Sequence, residues 1–176
     1  MAGDGRHWID RLARRAPPDA VVANSRFTAA SVARMFPGTP IHWVYAPLEF
    51  DTAAPIDALA RRQLRRSLDT PEDAVVVVQV GRLDPLKGHV IALEALAALR
   101  HLPGWVYWIV GGPQRPADVR YARELTQTAE RLGIQDMVRF VGERTDVPIV
   151  LRAADVYCQP NVRPDAFGIS LVEALA

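Results

Sequence analysis

Two short stretches of this chain combine residue types suited to holding a multiply charged anion. The first is Gly81-Arg82-Leu83-Asp84-Pro85-Leu86-Lys87-Gly88, where a guanidinium and an ammonium flank a turn. Arginine presents a planar fork and lysine a compact point charge, and both fit phosphate oxygens. The chain has 21 basic residues, and Lys87 is the single lysine among them. The turn matches neither G-x-x-x-x-G-K-[ST] nor G-x-G-x-x-G, so it offers side-chain charge rather than a glycine-rich cradle. Read alone, the loop is better taken as a solvated turn in which Asp84 pairs with either cation.

The second stretch runs from Pro164 through Asp165, Ala166, Phe167, Gly168 and Ile169 to Glu173. A helix starting here leaves unpaired N–H groups near Phe167, Gly168 and Ile169, which attract anions. Helical side chains lean toward the N-terminus, so Glu173 covers the turn containing Ile169 and Ser170. Among apolar neighbours its carboxylate needs partners, and a pair of vicinal hydroxyls would supply two hydrogen bonds. The competing readings are an ordinary N-cap for Asp165 and an exposed helical position for Glu173.

These stretches can act together only if the surrounding elements end at them. Residues 74–80 are a β-branched run of strand length, suited to a parallel strand buried on both faces, and the run stops at Gly81. The pattern then predicts a helix over 90–100, a strand over 106–110, a turn at Gly111-Gly112-Pro113 and a helix over 117–132. A strand over 137–141, a short helix over 148–153, a strand over 155–158 and a last helix from about Phe167 follow. Upstream, a helix over 8–15 and a strand over 20–23 precede a helix over 26–35, capped by Ser25 and stopped by Pro37 and Gly38, and a strand over 41–45. Residues 46–55 hold two prolines and no periodicity and read as a linker, with a helix over 56–68 leading into the second unit. This alternation predicts an α/β fold with a Rossmann-like, doubly wound parallel sheet. In such sheets ligands bind beyond the carboxyl ends of the strands, where the loops at 81–88, 111–113 and 161–166 lie. The chain stops at Ala176 inside an apolar helical pattern with no cap, and reads as cut rather than finished.

Composition narrows the functional classes. A net charge of +1 gives no sequence-wide pull toward nucleic acid. One cysteine, Cys158, excludes an internal disulfide and a thiolate metal cluster; it is expected to be buried. No signal-peptide pattern opens the chain, and the longest apolar stretch, 74–80, is too short to span a bilayer, so the expectation is a soluble, cytoplasmic protein. Arg6, Arg11, Arg14 and Arg15 are read as a solvated helix face rather than a membrane contact.

Taken together, the ordered blocks resemble the retaining glycosyltransferases of the GT-B fold, the large family that includes bacterial mannosyltransferases and sucrose synthases. They are Asn24-Ser25, Val80-Gly81-Arg82-Leu83 with Lys87-Gly88, Ile109-Val110-Gly111-Gly112, Val138 to Gly142, Ala153 to Tyr157, and Phe167-Gly168-Ile169 through Glu173-Ala174. The resemblance implies two Rossmann-like domains, of which residues 1–45 are the tail of the N-terminal acceptor domain. Residues 46–56 are then the linker, and residues 57–176 a nucleotide-sugar-binding domain truncated at its C-terminus. It implies transfer of a hexosyl-type sugar from a nucleotide-diphosphate sugar to an acceptor (glycan, lipid or small molecule) with retention, without a metal or other cofactor. Donor-binding residues are then Gly81, Arg82, Lys87, Phe167, Gly168, Ile169 and Glu173, with Arg82 and Lys87 on the diphosphate and Glu173 on the ribose. Arg82, Lys87 and Asp165 take the catalytic roles. Asp165 stands where the family has the first glutamate of an E-x7-E motif, and its shorter side chain puts its contact with the transferred sugar in question. The alternative is a non-catalytic nucleotide or sugar-phosphate binding module of the same fold. This chain by itself is expected to show little or no catalysis.

Overall fold

The valine run near residue 75 forms the axis of a parallel sheet in the computed structural model, which describes residues 8–47 and 56–176. The fold divides into two compact units, one drawn from Met1–Glu49 and Pro164–Ile169, the other from Phe50–Arg163 and Ser170–Ala176. Of the expected linker, residues 48–55 lie outside the described residues.

In the first unit, α1 (Trp8–Ala13), β1 (Val21–Ala23), α2 (Arg26–Met35) and β2 (Ile41–Trp43) follow in order, with β1 and β2 paired in parallel. Ser25 caps α2 as expected: its backbone is extended, and its hydroxyl oxygen accepts the Thr28 N–H at 3.1 Å. The expected strand over 41–45 shortens because its partner β1 ends at Ala23, whose carbonyl accepts the last ladder bond from Val44 N–H at 2.9 Å. The 164–169 segment packs here too, with the Ser25 hydroxyl donating to the Ala166 carbonyl and the Phe167 ring 5.8 Å from that of Tyr45.

The second unit comprises α3 (Ala58–Ser67), β3 (Val75–Val80), α4 (His89–Ala97), β4 (Trp105–Val110), α5 (Pro116–Arg131), β5 (Val138–Gly142), α6 (Val147–Ala153), β6 (Val156–Tyr157) and most of α7 (Ile169–Leu175). Its four strands are all parallel, in the order β5-β4-β3-β6. Side chains alternate across the sheet. Trp105, Tyr107 and Ile109 of β4 pack with Leu93 and Leu96 of α4 and Tyr121 and Leu125 of α5. Val76, Val78 and Val80 of β3, with Val106, Trp108 and Val110 of β4, pack with Val150 and Ala153 of α6 and with Leu64 of α3. The result is the doubly wound α/β sandwich expected from the sequence. The chain leaves central β3 toward β4 and β5 on one side and returns to β6 on the other, which places a topological switch at the carboxyl end of β3.

At the amino end the sheet is fastened by charge. Arg65 of α3, 1% exposed, donates to the carbonyls of Glu72 (3.0 Å), Ala74 (2.8 Å) and Ala153 (3.0 Å) and to the Asp155 carboxylate (2.7 Å). Asp155 also accepts the Val76 N–H at 2.7 Å and pairs with Arg61 at 2.6 Å. Burial pushes its carboxyl pKa up, but the Val76 N–H and the two guanidinium groups more than offset this and hold it below the usual range.

Two further expectations shift. α7 begins at Ile169 rather than near Phe167, because Gly168 takes a left-handed φ of 79° that no helix can continue through. Cys158 is half-buried rather than buried, though desolvation still raises its thiol pKa. Among the described residues no helix is long and apolar enough to cross a membrane.

Candidate functional site

The carboxyl end of β3 opens into the predicted turn, and local hydrogen bonds give it one shape. Asp84 accepts the Leu86 N–H on its carboxylate at 2.9 Å and the Lys87 N–H on its carbonyl at 2.9 Å, winding Pro85–Lys87 into a 3-10 turn. Gly88 follows with φ 73° and starts α4, its carbonyl accepting the Ala92 N–H. A side chain at Gly88 has no room: its Cβ would stand 1.8 Å from the Pro160 carbonyl oxygen in the loop after β6. The same two loops are joined by Val162 N–H donating to the Leu86 carbonyl at 2.9 Å.

Lys87 folds back along the turn. Its Cε lies 3.8 Å from where a Cβ on Gly81 would sit, so the lysine stem runs alongside Gly81 at van der Waals distance. Arg82 is half-exposed beside it, its guanidinium 3.5 Å from the Asp84 carboxylate. Gly81, Arg82 and Lys87 are therefore brought together at the head of the central strand. Asp84 also takes the loose pairing open to it from the sequence, shared between Arg82 and Arg115 at 3.8 Å.

Beside this turn a cleft of about 160 Å³ lies at the ends of β3, β4 and β5, lined by Gly81, Arg82, Gly112, Gln114, Glu143 and Arg144 among others. Gly111 closes the strands over its floor: with φ 144°, a Cβ there would meet the Gly81 carbonyl oxygen at 1.9 Å. Arg144 is held by Asp146 through two hydrogen bonds, Nε to Oδ1 at 2.7 Å and Nη2 to Oδ2 at 2.6 Å, and this pairing lowers the Asp146 carboxyl pKa. Sequence reasoning missed Gln114, Arg115, Glu143 and Arg144. Their signal was positional, since each directly follows a strand-ending glycine or its turn.

The second predicted stretch is split between the units. Asp165, Phe167, Gly168 and Ile169 belong to the first, where Asp165 is exposed and accepts the Ala166 N–H at 2.8 Å. Asp165 does not cap α7, which starts four residues later. Glu173 belongs to the second unit and is half-buried on α7. There α7 is tied to the end of β6: the Tyr157 hydroxyl donates to Ser170 Oγ at 3.0 Å and Ser170 Oγ to Gln159 Oε1 at 3.1 Å. Among the described residues no group of three or more His, Cys, Asp or Glu side chains is placed to hold a metal ion.

Residues 60–176 match the family described as glycosyl transferases group 1. The chain is 35% identical over 170 residues to a D-inositol 3-phosphate glycosyltransferase of Xylanimonas cellulosilytica, covering 92% of this chain and 39% of that protein. A second protein of that name, from Catenulispora acidiphila, is 32% identical over 167 residues, with 90% and 38% covered. This chain thus spans about two fifths of the length of the curated relatives it matches. Among solved structures, Anabaena Alr3699/HepE in complex with UDP and glucose superposes with a TM-score of 0.81 at 28% identity, over 95% of this chain and 44% of that one. Sucrose-phosphate synthase from Thermosynechococcus elongatus gives 0.77 at 25% identity, over 95% and 40%.

Proposed function

We propose, from the premise that this chain belongs to the group 1 glycosyl transferases, that it supplies donor-site residues to an enzyme moving a hexosyl group from a nucleoside-diphosphate sugar to an acceptor with retention of configuration. One observation carries the reading: the single lysine and Arg82 share one turn at the carboxyl end of the central strand, beside the topological switch. The similar Anabaena structure holds UDP, which makes UDP the first donor nucleotide to test here.

In this reading Lys87 and Arg82 of the second unit hold the diphosphate, and Glu173 of the same unit accepts the ribose hydroxyls. As the bond between sugar and phosphate breaks, negative charge grows on the leaving diphosphate, so fixed cations stabilise the transition state more than the bound donor. That charge is met by side chains, and the reaction needs no metal.

The test is Lys87→Ala in the full-length protein. Turnover should fall about 10²- to 10³-fold, by analogy with loss of one preorganised oxyanion donor, while thermal stability changes little and EDTA leaves the parent rate unaltered. Near-normal turnover in the variant overturns the assignment. A panel of UDP, GDP and ADP identifies the base. Donor affinity without donor hydrolysis or transfer would instead favour a non-catalytic module, the reading that the Asp165 departure supports.

A further inference from the structure

β3 is a run of valines with one interruption, Gln79, and that residue is 1% exposed. A buried primary amide is costly unless its donors and acceptor are used. Gln79 is used at both ends. Its Nε2 donates to the Lys87 carbonyl at 2.7 Å, and its Oε1 accepts from the hydroxyl of Tyr107, a fully buried residue of β4. The direction is fixed by chemistry: a carbonyl only accepts, so the amide nitrogen must face Lys87 and the amide oxygen must face the tyrosine. Burial raises the Tyr107 pKa far above its ordinary value, so the hydroxyl keeps the proton it donates.

From these contacts we infer that Gln79, oriented by Tyr107, is a positioning residue for Lys87. The inference rests on the proposed role of Lys87 at the diphosphate. The Lys87 N–H is held by the Asp84 carbonyl and its C=O by Gln79, so the peptide groups on both sides of its Cα are fixed. That sets the direction in which the side chain leaves the backbone and lays its stem along Gly81. The pairing of the strands does not need an amide here. The register of β3 with β4 is set by the main-chain ladder from Val75↔Trp105 to Val80↔Val110. A valine, leucine or methionine would fill the same space, but none of them can hold the lysine carbonyl from the floor of the sheet.

Gln79→Met removes both hydrogen bonds at similar volume. In the full-length protein, UDP affinity measured by calorimetry should fall about 10-fold, and uridine affinity measured by ligand-observed NMR should stay within two-fold, because only the phosphates feel a misplaced ammonium. Tyr107→Phe, which loosens the amide without removing it, should give the same selective pattern at about 3-fold and serves if Gln79→Met folds poorly. In a Lys87→Ala background Gln79→Met should change UDP affinity less than two-fold, since the group it positions is gone. Equal losses for UDP and uridine, or full additivity with Lys87→Ala, would show a structural amide and overturn the inference. If Lys87→Ala alone leaves UDP affinity unchanged, the diphosphate assignment itself fails, a result separate from either of those.

Discussion

Replacing Arg65 with methionine removes the charge that fastens the amino end of the sheet while keeping most of the apolar stem. Three main-chain carbonyls and one carboxylate lose a charged donor. Hydrogen bonds from charged donors contribute about 1.5–3 kcal/mol each, and removing one partner of a buried pair costs about 3–5 kcal/mol. The Asp155 share is discounted toward the surface value of about 0–1 kcal/mol, because that side chain is 33% exposed and keeps Arg61 and the Val76 N–H. The carbonyls of Ala74 and Ala153 dominate, since both bonds are buried and methionine offers neither a donor. The expected loss is about 4 kcal/mol, a large share of the roughly 5–15 kcal/mol that holds an ordinary domain folded. Urea unfolding followed by tryptophan emission reads it, because Trp108 is fully buried in this unit and shifts to the red when the unit opens. A midpoint corresponding to less than about 1 kcal/mol of destabilisation would mean that the carbonyls find other donors, and the account of the clamp would be wrong.

The same clamp sets an acid response. The Asp155 carboxyl is held below its unfolded value, so the stability it contributes is complete at neutral pH and is lost as pH falls through the ordinary carboxylate range toward the folded pKa. Urea midpoints measured from pH 7 down to pH 3 should drop less steeply in Asp155→Asn, which starts less stable. Gly88→Ala places a Cβ against the Pro160 carbonyl at a left-handed φ, and the backbone strain alone is about 1–2 kcal/mol. The turn must shift, and UDP affinity should fall at least 10-fold; binding within two-fold of the parent would show that the two loops move apart freely. Gly111→Ala, whose Cβ would meet the Gly81 carbonyl, should open the strand ends and lower the melting temperature by several degrees in a thermal scan.

Much of the sheet could be read from residue types because local and tertiary demands agree. The β-branched run at 74–80 is a strand by propensity and is also the central strand, paired on both sides and mostly buried. Ser25 caps the helix it precedes, and the helix over 26–35 has the bounds its pattern predicts. The start of α7 was misplaced because helical periodicity near residue 167 says nothing about φ, and Gly168 spends its freedom on a left-handed turn rather than on helix. Arg65 and Asp155 were invisible for a different reason. Each looks like an ordinary surface charge, and only the meeting of α3 with the start of β6, some 90 residues apart in sequence, turns them into a partly buried pair. Gln79 lay in plain view inside the valine run, but its hydrogen bonds go to a turn and to a neighbouring strand, which no pattern along one strand reveals.

The position of that clamp bears on the opposite end of the sheet. β6 has only two residues, paired as Val77↔Val156 and Val78↔Tyr157, too few for ladder bonds alone to hold its direction. Asp155 lengthens the pairing beyond the strand, giving its N–H to the Val76 carbonyl and taking the Val76 N–H on its carboxylate. Arg65 then fixes the carboxylate. The far end of β6 carries the loop that meets Gly88 and bonds Leu86, and through Tyr157 and Gln159 it holds Ser170 of α7. A short strand pinned at its amino end by charge can thus aim a loop at the lysine turn across the sheet. The Arg65→Met protein, studied well below its unfolding midpoint, should therefore bind UDP more weakly than its folded fraction accounts for. If affinity tracks the folded fraction alone, the clamp stabilises the sheet without aiming the loop.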